Sequence, residues 1–333
     1  MKLSTFTASL MAVTFLVTPA FAEGGPLAVW GGGKPTTSTY TDVYVPHVIS
    51  VLQSQALSGY QWGGVSEGTI DNAQKVTETP TNLAVGQLDL LRDLNGQLMP
   101  NGKPYAFTIL NDNVGPECLY LVTAQPGYNT FGDFLGNAFQ VSVATGGPKS
   151  GSFGTFMNIA SMYPDMNDMT FDHVGSALDI VSAVKENKFT HGFFVMRPDP
   201  QSATFKAIND AKLTIIPVVD FGLQDEYNFL DLKVANGFLF GAGKSVTTAC
   251  TSVALITGSA SGEVAQALPS RDQKRLEVTV QRVGSLTSDT LRPNISSWAD
   301  MWDNLKSITG DQAKVLMEAS KKALEDVLAS QVK

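Results

Sequence analysis

Cysteine and histidine are almost absent from this chain: two Cys and three His in 333 residues. His47, His173 and His191 stand far apart, so neither a Cys/His zinc spacing nor a paired-histidine metal helix can be drawn. Basic residues are few, 23 Lys and Arg against 31 Asp and Glu for a net charge of −8, and none form a block. A nucleic-acid binder needs clustered cations to displace counterions from phosphates, and a polybasic membrane anchor needs the same near lipid, so both classes are excluded. After the first twenty or so residues no apolar stretch approaches the roughly 18 residues of a spanning helix. Internal repeats and low-complexity linkers are also missing. What remains, 43% hydrophobic residues, is ample for real cores.

The motifs of common enzymes are missing as well. Gly243-Lys244-Ser245 has Phe238 where a phosphate loop requires its first glycine. Neither Ser150 nor Ser152 has glycine at both flanking second positions, so there is no nucleophile elbow. Met157 and Met162 read as a core stripe, and Met166 and Met169 as loop residues beside Asp and Asn, rather than as a copper site. No cofactor is called for.

The N-terminus is informative. Lys2, the apolar run of residues 8–18 and Ala20-Phe21-Ala22 have the form of a secretory signal peptide over residues 1–22, cleaved after Ala22. Removing it leaves 22 basic against 31 acidic residues, net −9, and places the protein in the periplasm. In an oxidising compartment Cys118 and Cys250 are open to two readings, separate buried small side chains or a disulfide.

Beyond the leader, short apolar runs alternate with helical stripes. Leu27–Trp30, residues 60–65, Leu83–Gly86, Phe107–Leu110, Leu119–Val122, Phe139–Val143, Phe193–Met196, Leu213–Ile216 and residues 251–257 read as strands. A helix follows from Tyr40, Val43, Tyr44, Val48, Val51 and Leu52, with Pro46 as a kink or a delayed start. Others open near Thr69, bury Phe153, Phe156, Met157 and Ala160, and carry Ala177, Ile180, Val181 and Val184 up to a left-handed Asn187. Two more are expected after Trp298. The alternation predicts an α/β protein with doubly wound, largely parallel sheets.

Local motifs then suggest a family. Tyr44-Val45-Pro46 after a Gly-rich turn, Glu67-Gly68-Thr69-Ile70-Asp71-Asn72, Val85-Gly86-Gln87-Leu88-Asp89, and Ser142 to Gly147 with Ser150-Gly151-Ser152 occur in order. So does Lys185-Glu186-Asn187-Lys188-Phe189 before Phe193-Phe194. The set resembles the TAXI class of TRAP-transporter receptors, periplasmic solute-binding proteins of the type II two-lobed fold. Residues 34–39 look like an insertion relative to that family, and His191-Gly192 stands where it usually has Asp-Ala. The resemblance implies lobe 1 from residues 23–117 plus 256–333 and lobe 2 from 118–255. It implies two hinge strands side by side, residues 118–122 and 249–256, which favours the Cys118–Cys250 disulfide. It also implies a monomer that binds a small solute and docks on the permease subunits of a transporter, and that is not an enzyme.

Ligands of open α/β sheets sit beyond the carboxyl ends of the strands, at helix N-termini with spare donors. The expected ligand set is therefore Gly32, Gly33, Thr37, Gly68 and Thr69 from one lobe and Thr145, Ser150, Gly151 and Ser152 from the other. Gln87 and Asn72 add neutral polar groups, Tyr44 with Trp62 an apolar wall, and Arg197 a guanidinium for a carboxylate. Ser150 and Ser152 have helix capping, and Arg197 a salt bridge to Asp199, as alternative roles. The expected solute is an organic anion or an amino acid. The alternatives are the receptor of an ATP-driven importer, an exported enzyme using Arg197, the serines and His191, and a signalling protein without a pocket.

Overall fold

The computed structural model describes residues 27–35, 38–234 and 245–293, with 306–307, 318 and 322. The expected leader, Thr37 and most of the segment after Trp298 lie outside the described residues.

The chain begins with β1 (Leu27–Gly32), a π-helical turn (Tyr40–Tyr44) leading into α1 (Val45–Ser54), β2 (Tyr60–Ser66) and α2 (Thr69–Glu78). β3 (Leu83–Gln87), α3 (Leu88–Leu94) and β4 (Phe107–Thr123) follow. The middle of the chain adds α4 (Phe131–Gly136), β5 (Ser142–Thr145), α5 (Gly151–Met162), β6 (Thr170–His173), α6 (Ala177–Lys185) and β7 (His191–Met196). After α7 (Ala203–Asp210), β8 (Thr214–Ile216) and β9 (Asn228–Lys233) come β10 (Ser245–Gly258), α8 (Glu263–Gln266), α9 (Ser270–Gly284) and α10 (Ser288–Leu291). The main strand order is β2-β1-β3-β10-β4-β7-β5-β6.

Two long strands divide this order into halves. The 17 residues of β4 and 14 of β10 run antiparallel, with Phe107–Gly115 against Val253–Gly258 on one side and Cys118 opposite Cys250 on the other. Their register shifts between Val253 and Leu255, where the strands pass from one half to the other. β1, β2 and β3 pair in parallel in the first half, and β5 pairs in parallel with β6 and β7 in the second. The central strands of each half bury both faces. Val29, Val85, Val253 and Leu255 pack on α1 and α9, while Ala84, Ala254 and Ile256 pack on α2 and α3. In the second half Leu119, Leu121, Val143 and Phe193 face α4 and α5, and Tyr120, Val122 and Phe194 face α6 and α7. This is the doubly wound pair of α/β halves with crossing strands that the resemblance implied.

Local chemistry explains most boundaries. Pro46 does not delay the helix: Thr39, Tyr44 and Val45 are already helical and the Val45 N–H bonds Tyr40 O, so the proline sits where the π turn passes into α1. Ser150, Ser176 and Ser202 each accept a backbone N–H at the start of their helices. Asn187 closes α6 at φ +57°.

Several expectations are corrected. Phe107–Leu110 and Leu119–Val122 are parts of one strand, because β4 takes up an irregularity between Asn111 and Gly115, opposite Val253 to Leu255, without ending. Phe139 stands in a 3₁₀ turn and is exposed, and β5 starts only at Ser142. Met162 packs against the core as expected, but the other three methionines trade places: Met157 is 41% exposed, whereas Met166 and Met169 lie in the core beside α5. Helix α9, which the sequence reading did not contain, places Leu276, Thr279 and Val283 on the first-half sheet. Among the described residues no helix is long and apolar enough to cross a membrane.

Candidate ligand cleft between the two halves

The carboxyl end of β3 meets the N-terminus of α5 across the boundary between halves. Gly68, at the N-cap of α2 with φ +138°, lies so close to Ser150 and Gly151 that a Cβ there would fall 3.0 Å from Gly151 N and Ser150 Cα. On its other side a Cβ on Gly32 would lie 2.9 Å from Gly68 Cα. Gly151 rests on the Gln87 amide, whose Oε1 occupies the place a Cβ would need. Gln87 is itself held by Thr69, whose Oγ1 accepts the Gln87 N–H at 3.1 Å. Two helices of ten and twelve residues, one from each half, thus aim their N-termini at a single buried amide. Gln87 is 1% exposed, and among the described residues its Nε2 has no hydrogen-bond partner; the same holds for Thr145 Oγ1 at the end of β5.

The remaining expected residues separate into groups. Gly33 keeps the first turn at φ +86° beside Ser38, which donates to Gly32 O. Ser150 caps α5 through the Phe153 N–H, and Ser152 accepts the Val195 N–H, so both hydroxyls have structural bonds. Asn72 donates to Val85 O at 2.8 Å, which ties α2 to β3 beneath the boundary. Tyr44 is fully buried in the first-half core and Trp62 is 41% exposed on β2, so they do not form one apolar wall. Arg197 follows β7 and holds Asp199 at 2.5 Å, with its side chain largely buried.

Polar groups that the expected set omitted link the halves. Asp89, at the start of α3, accepts from Thr155 Oγ1 of α5 at 2.9 Å and from Tyr227 OH at 3.0 Å, so a first-half carboxylate is held by two second-half hydroxyls. Lys149 Nζ reaches back to Gln74 Oε1 at 3.2 Å and Asp71 Oδ1 at 3.9 Å. Glu117, one residue before the disulfide, accepts from Tyr40 OH at 2.5 Å. Thr251 pairs with Glu117 across the crossing strands, and its Oγ1 accepts the Asp89 N–H at 3.3 Å. Asp89 carried a signal in its place two residues after Gln87. Tyr40, Thr155 and Tyr227 carried none, because only the fold brings them to these carboxyls. Cys118 and Cys250 form a disulfide with Cα atoms 3.9 Å apart. Among the described residues no cluster of His, Cys, Asp and Glu is arranged to hold a metal.

Two buried groups act on stability in opposite directions. Burial lifts the Glu117 carboxyl from 4.5 to about 8, against the lowering effects of the Tyr40 bond and Arg197 and with a further rise from Asp89. Folded Glu117 keeps a proton that the unfolded chain releases, so its contribution is full below pH 4.5 and is lost as pH rises through 8. Burial lowers His191, packed against Tyr128 and Phe134, from 6.5 to about 4. Its contribution is present above pH 6.5 and is lost as pH falls through 4. The two slopes cancel between pH 4.5 and 6.5, so these groups alone give a plateau there and a decline from 6.5 to 8. In E117Q that decline is expected to disappear and the melting temperature at pH 8 to rise. Urea midpoints at half-unit intervals check this, and a wild-type slope in E117Q would exclude Glu117 as the cause.

No family model matches the chain, and no curated protein matches it. Solved structures of similar shape include MatC from Rhodopseudomonas palustris with bound malate, at 13% identity and a TM-score of 0.45, covering 90% of this chain and 97% of that one. XAC2383 from Xanthomonas citri bound to ATP is similar at 10% identity and 0.45, covering 91% and 98%. The GluR0 ligand-binding core in complex with L-glutamate is similar at 11% identity and 0.42, covering 81% and 98%.

Proposed function

We propose that this chain is an exported, non-enzymatic receptor that closes its two halves on a small solute, an organic anion or amino acid, and delivers it to a TRAP-type permease. The observation that carries the reading is the convergence of the α2 and α5 N-termini, from opposite halves, on the unsatisfied amide of Gln87. Helix N-termini bring partial positive charge and spare N–H donors. A buried donor without a partner costs about 1–3 kcal/mol, which an acceptor on a bound solute recovers. Gly32, Gly68, Thr69, Gln87, Thr145 and Gly151 are the proposed contacts. The lobes are residues 23–117 with 256–333, and 118–255, and the disulfide suits an oxidising periplasm.

A thermal-shift panel on residues 23–333, refolded to remove carried-over ligand, tests this with amino acids, dicarboxylates, 2-oxo acids and sugars. A solute at about 1,000 times its dissociation constant adds about 4 kcal/mol and raises the melting temperature by many degrees. A flat panel, with a reference binding protein responding normally, counts against the receptor reading.

A further inference from the structure

The polar groups of the cleft differ in kind between its two ends. At one end are donors: the helix N-termini and Gln87 Nε2. One helical turn along α5, about 6 Å from Gly151, Thr155 faces Asp89. There the chemistry is that of an acceptor. Asp89 Oδ2 takes both hydroxyl bonds, from Thr155 and Tyr227, while Oδ1 is buried and has no partner among the described residues. Glu117 brings a second buried carboxyl to the same end, because Thr251 pairs with Glu117 and bonds the Asp89 backbone.

The cations nearby are already engaged. Arg197 holds Asp199, Lys75 holds Asp71 at 3.3 Å, and Lys149 reaches Gln74 and Asp71. A solute with two carboxylates would set its second negative charge against Asp89, whose hydrogen-bond partners Thr155 and Tyr227 are neutral. A solute with an ammonium group would satisfy the orphan oxygen with a charge-assisted bond.

Resting on the receptor reading above, we infer that the solute is an α-amino acid or similar zwitterion, with its carboxylate toward Gln87 and the helix N-termini and its ammonium group on Asp89. Asp89 is then the residue that separates amino acids from their 2-oxo and dicarboxylate counterparts. Opening the halves lifts Gly151 and Thr155 away from Gln87 and Asp89 to admit the solute, and closure returns the Thr155 and Tyr227 hydroxyls to Asp89.

The test is titration calorimetry of the refolded, disulfide-intact protein with pairs that differ only at the amino group: L-glutamate with 2-oxoglutarate, L-alanine with pyruvate, L-leucine with 4-methyl-2-oxopentanoate. At least one amino acid is expected to bind, at least about tenfold tighter than its 2-oxo partner, as a charge-assisted bond requires. Asp89→Asn keeps an acceptor for Thr155 and Tyr227 and is expected to lose that preference. A 2-oxo acid binding as tightly as its amino acid, or Asp89→Asn retaining the preference, overturns the inference and leaves the receptor reading in place. Should no member of any pair bind, while a dicarboxylate or sugar from the wider panel does, the inference alone falls; silence across both panels removes the receptor reading with it. The wild-type pairs decide the matter even if Asp89→Asn does not fold.

Discussion

With Cys118 and Cys250 both replaced by serine, the protein is expected to melt about 10 °C lower than the wild type. The bond joins residues 132 apart in sequence. Releasing a loop of that size in the unfolded chain returns entropy worth about 4–5 kcal/mol, and for a chain of this size each kcal/mol moves the midpoint by about 2–4 °C. The location adds a second consequence. Cys118 and Cys250 are directly opposed on the two strands that cross between halves, so the bond clamps the hinge itself. The reduced or serine form is expected to sample a wider range of interlobe angles, seen as a larger ligand-free radius of gyration in X-ray scattering. Calorimetric midpoints within 2–3 °C of each other would show that the β4–β10 ladder holds the hinge without the bond.

Gly68→Ala is expected to cost the protein its closed form. Two effects add. An alanine at φ +138° is strained by about 1–3 kcal/mol, and its methyl group meets the backbone of Ser150 and Gly151 at 3.0 Å, which pushes the N-terminus of α5 away from the first half. If closing becomes harder by about 3 kcal/mol, the apparent affinity for a solute that bridges both halves falls about 100-fold. Gly102→Ala is the matched control: φ is +78°, and nothing lies within 4 Å of the added methyl group. The control is expected to lose stability but to keep solute affinity and closure. Equal affinity losses in the two variants would assign the effect to backbone strain alone and remove Gly68 from the closure contact.

Much of the cleft was legible because its chemistry is local. Glycines followed by helix starters mark the strand-to-helix turns, and Gly68, Thr69, Gln87, Ser150 and Gly151 all stand at such turns. Roles that depend on the neighbour were not legible. Ser152 has the same residue type whether it meets a solute or the Val195 N–H, and Tyr44 the same whether it lines a wall or fills a core. Helix α9 escaped because Val278-Thr279-Val280 blurs its apolar stripe among charged residues, and its burial depends on a sheet most of whose strands lie more than a hundred residues earlier. Met157, Met166 and Met169 were misplaced for a related reason. The stripe around Met157 has helical spacing, but α5 presents Phe156 and Ile159 to the core, and the 3₁₀ turn at Pro164–Asp168 folds Met166 beneath them.

Apolar periodicity, turn residues and caps are properties of neighbouring residues, so the order of strands and helices, the α/β class and the strand-to-helix turns are written in the chain itself. Pairing between distant segments is not. Asp89 between Thr155 and Tyr227, and Glu117 beneath Tyr40, join residues 66 to 138 positions apart, while the Cys118–Cys250 pairing was implied by the family resemblance alone and is present. Only the antiparallel crossing of β4 and β10, which folds one half back onto the other, brings these residues together and buries two ordinary carboxyls at the boundary between halves.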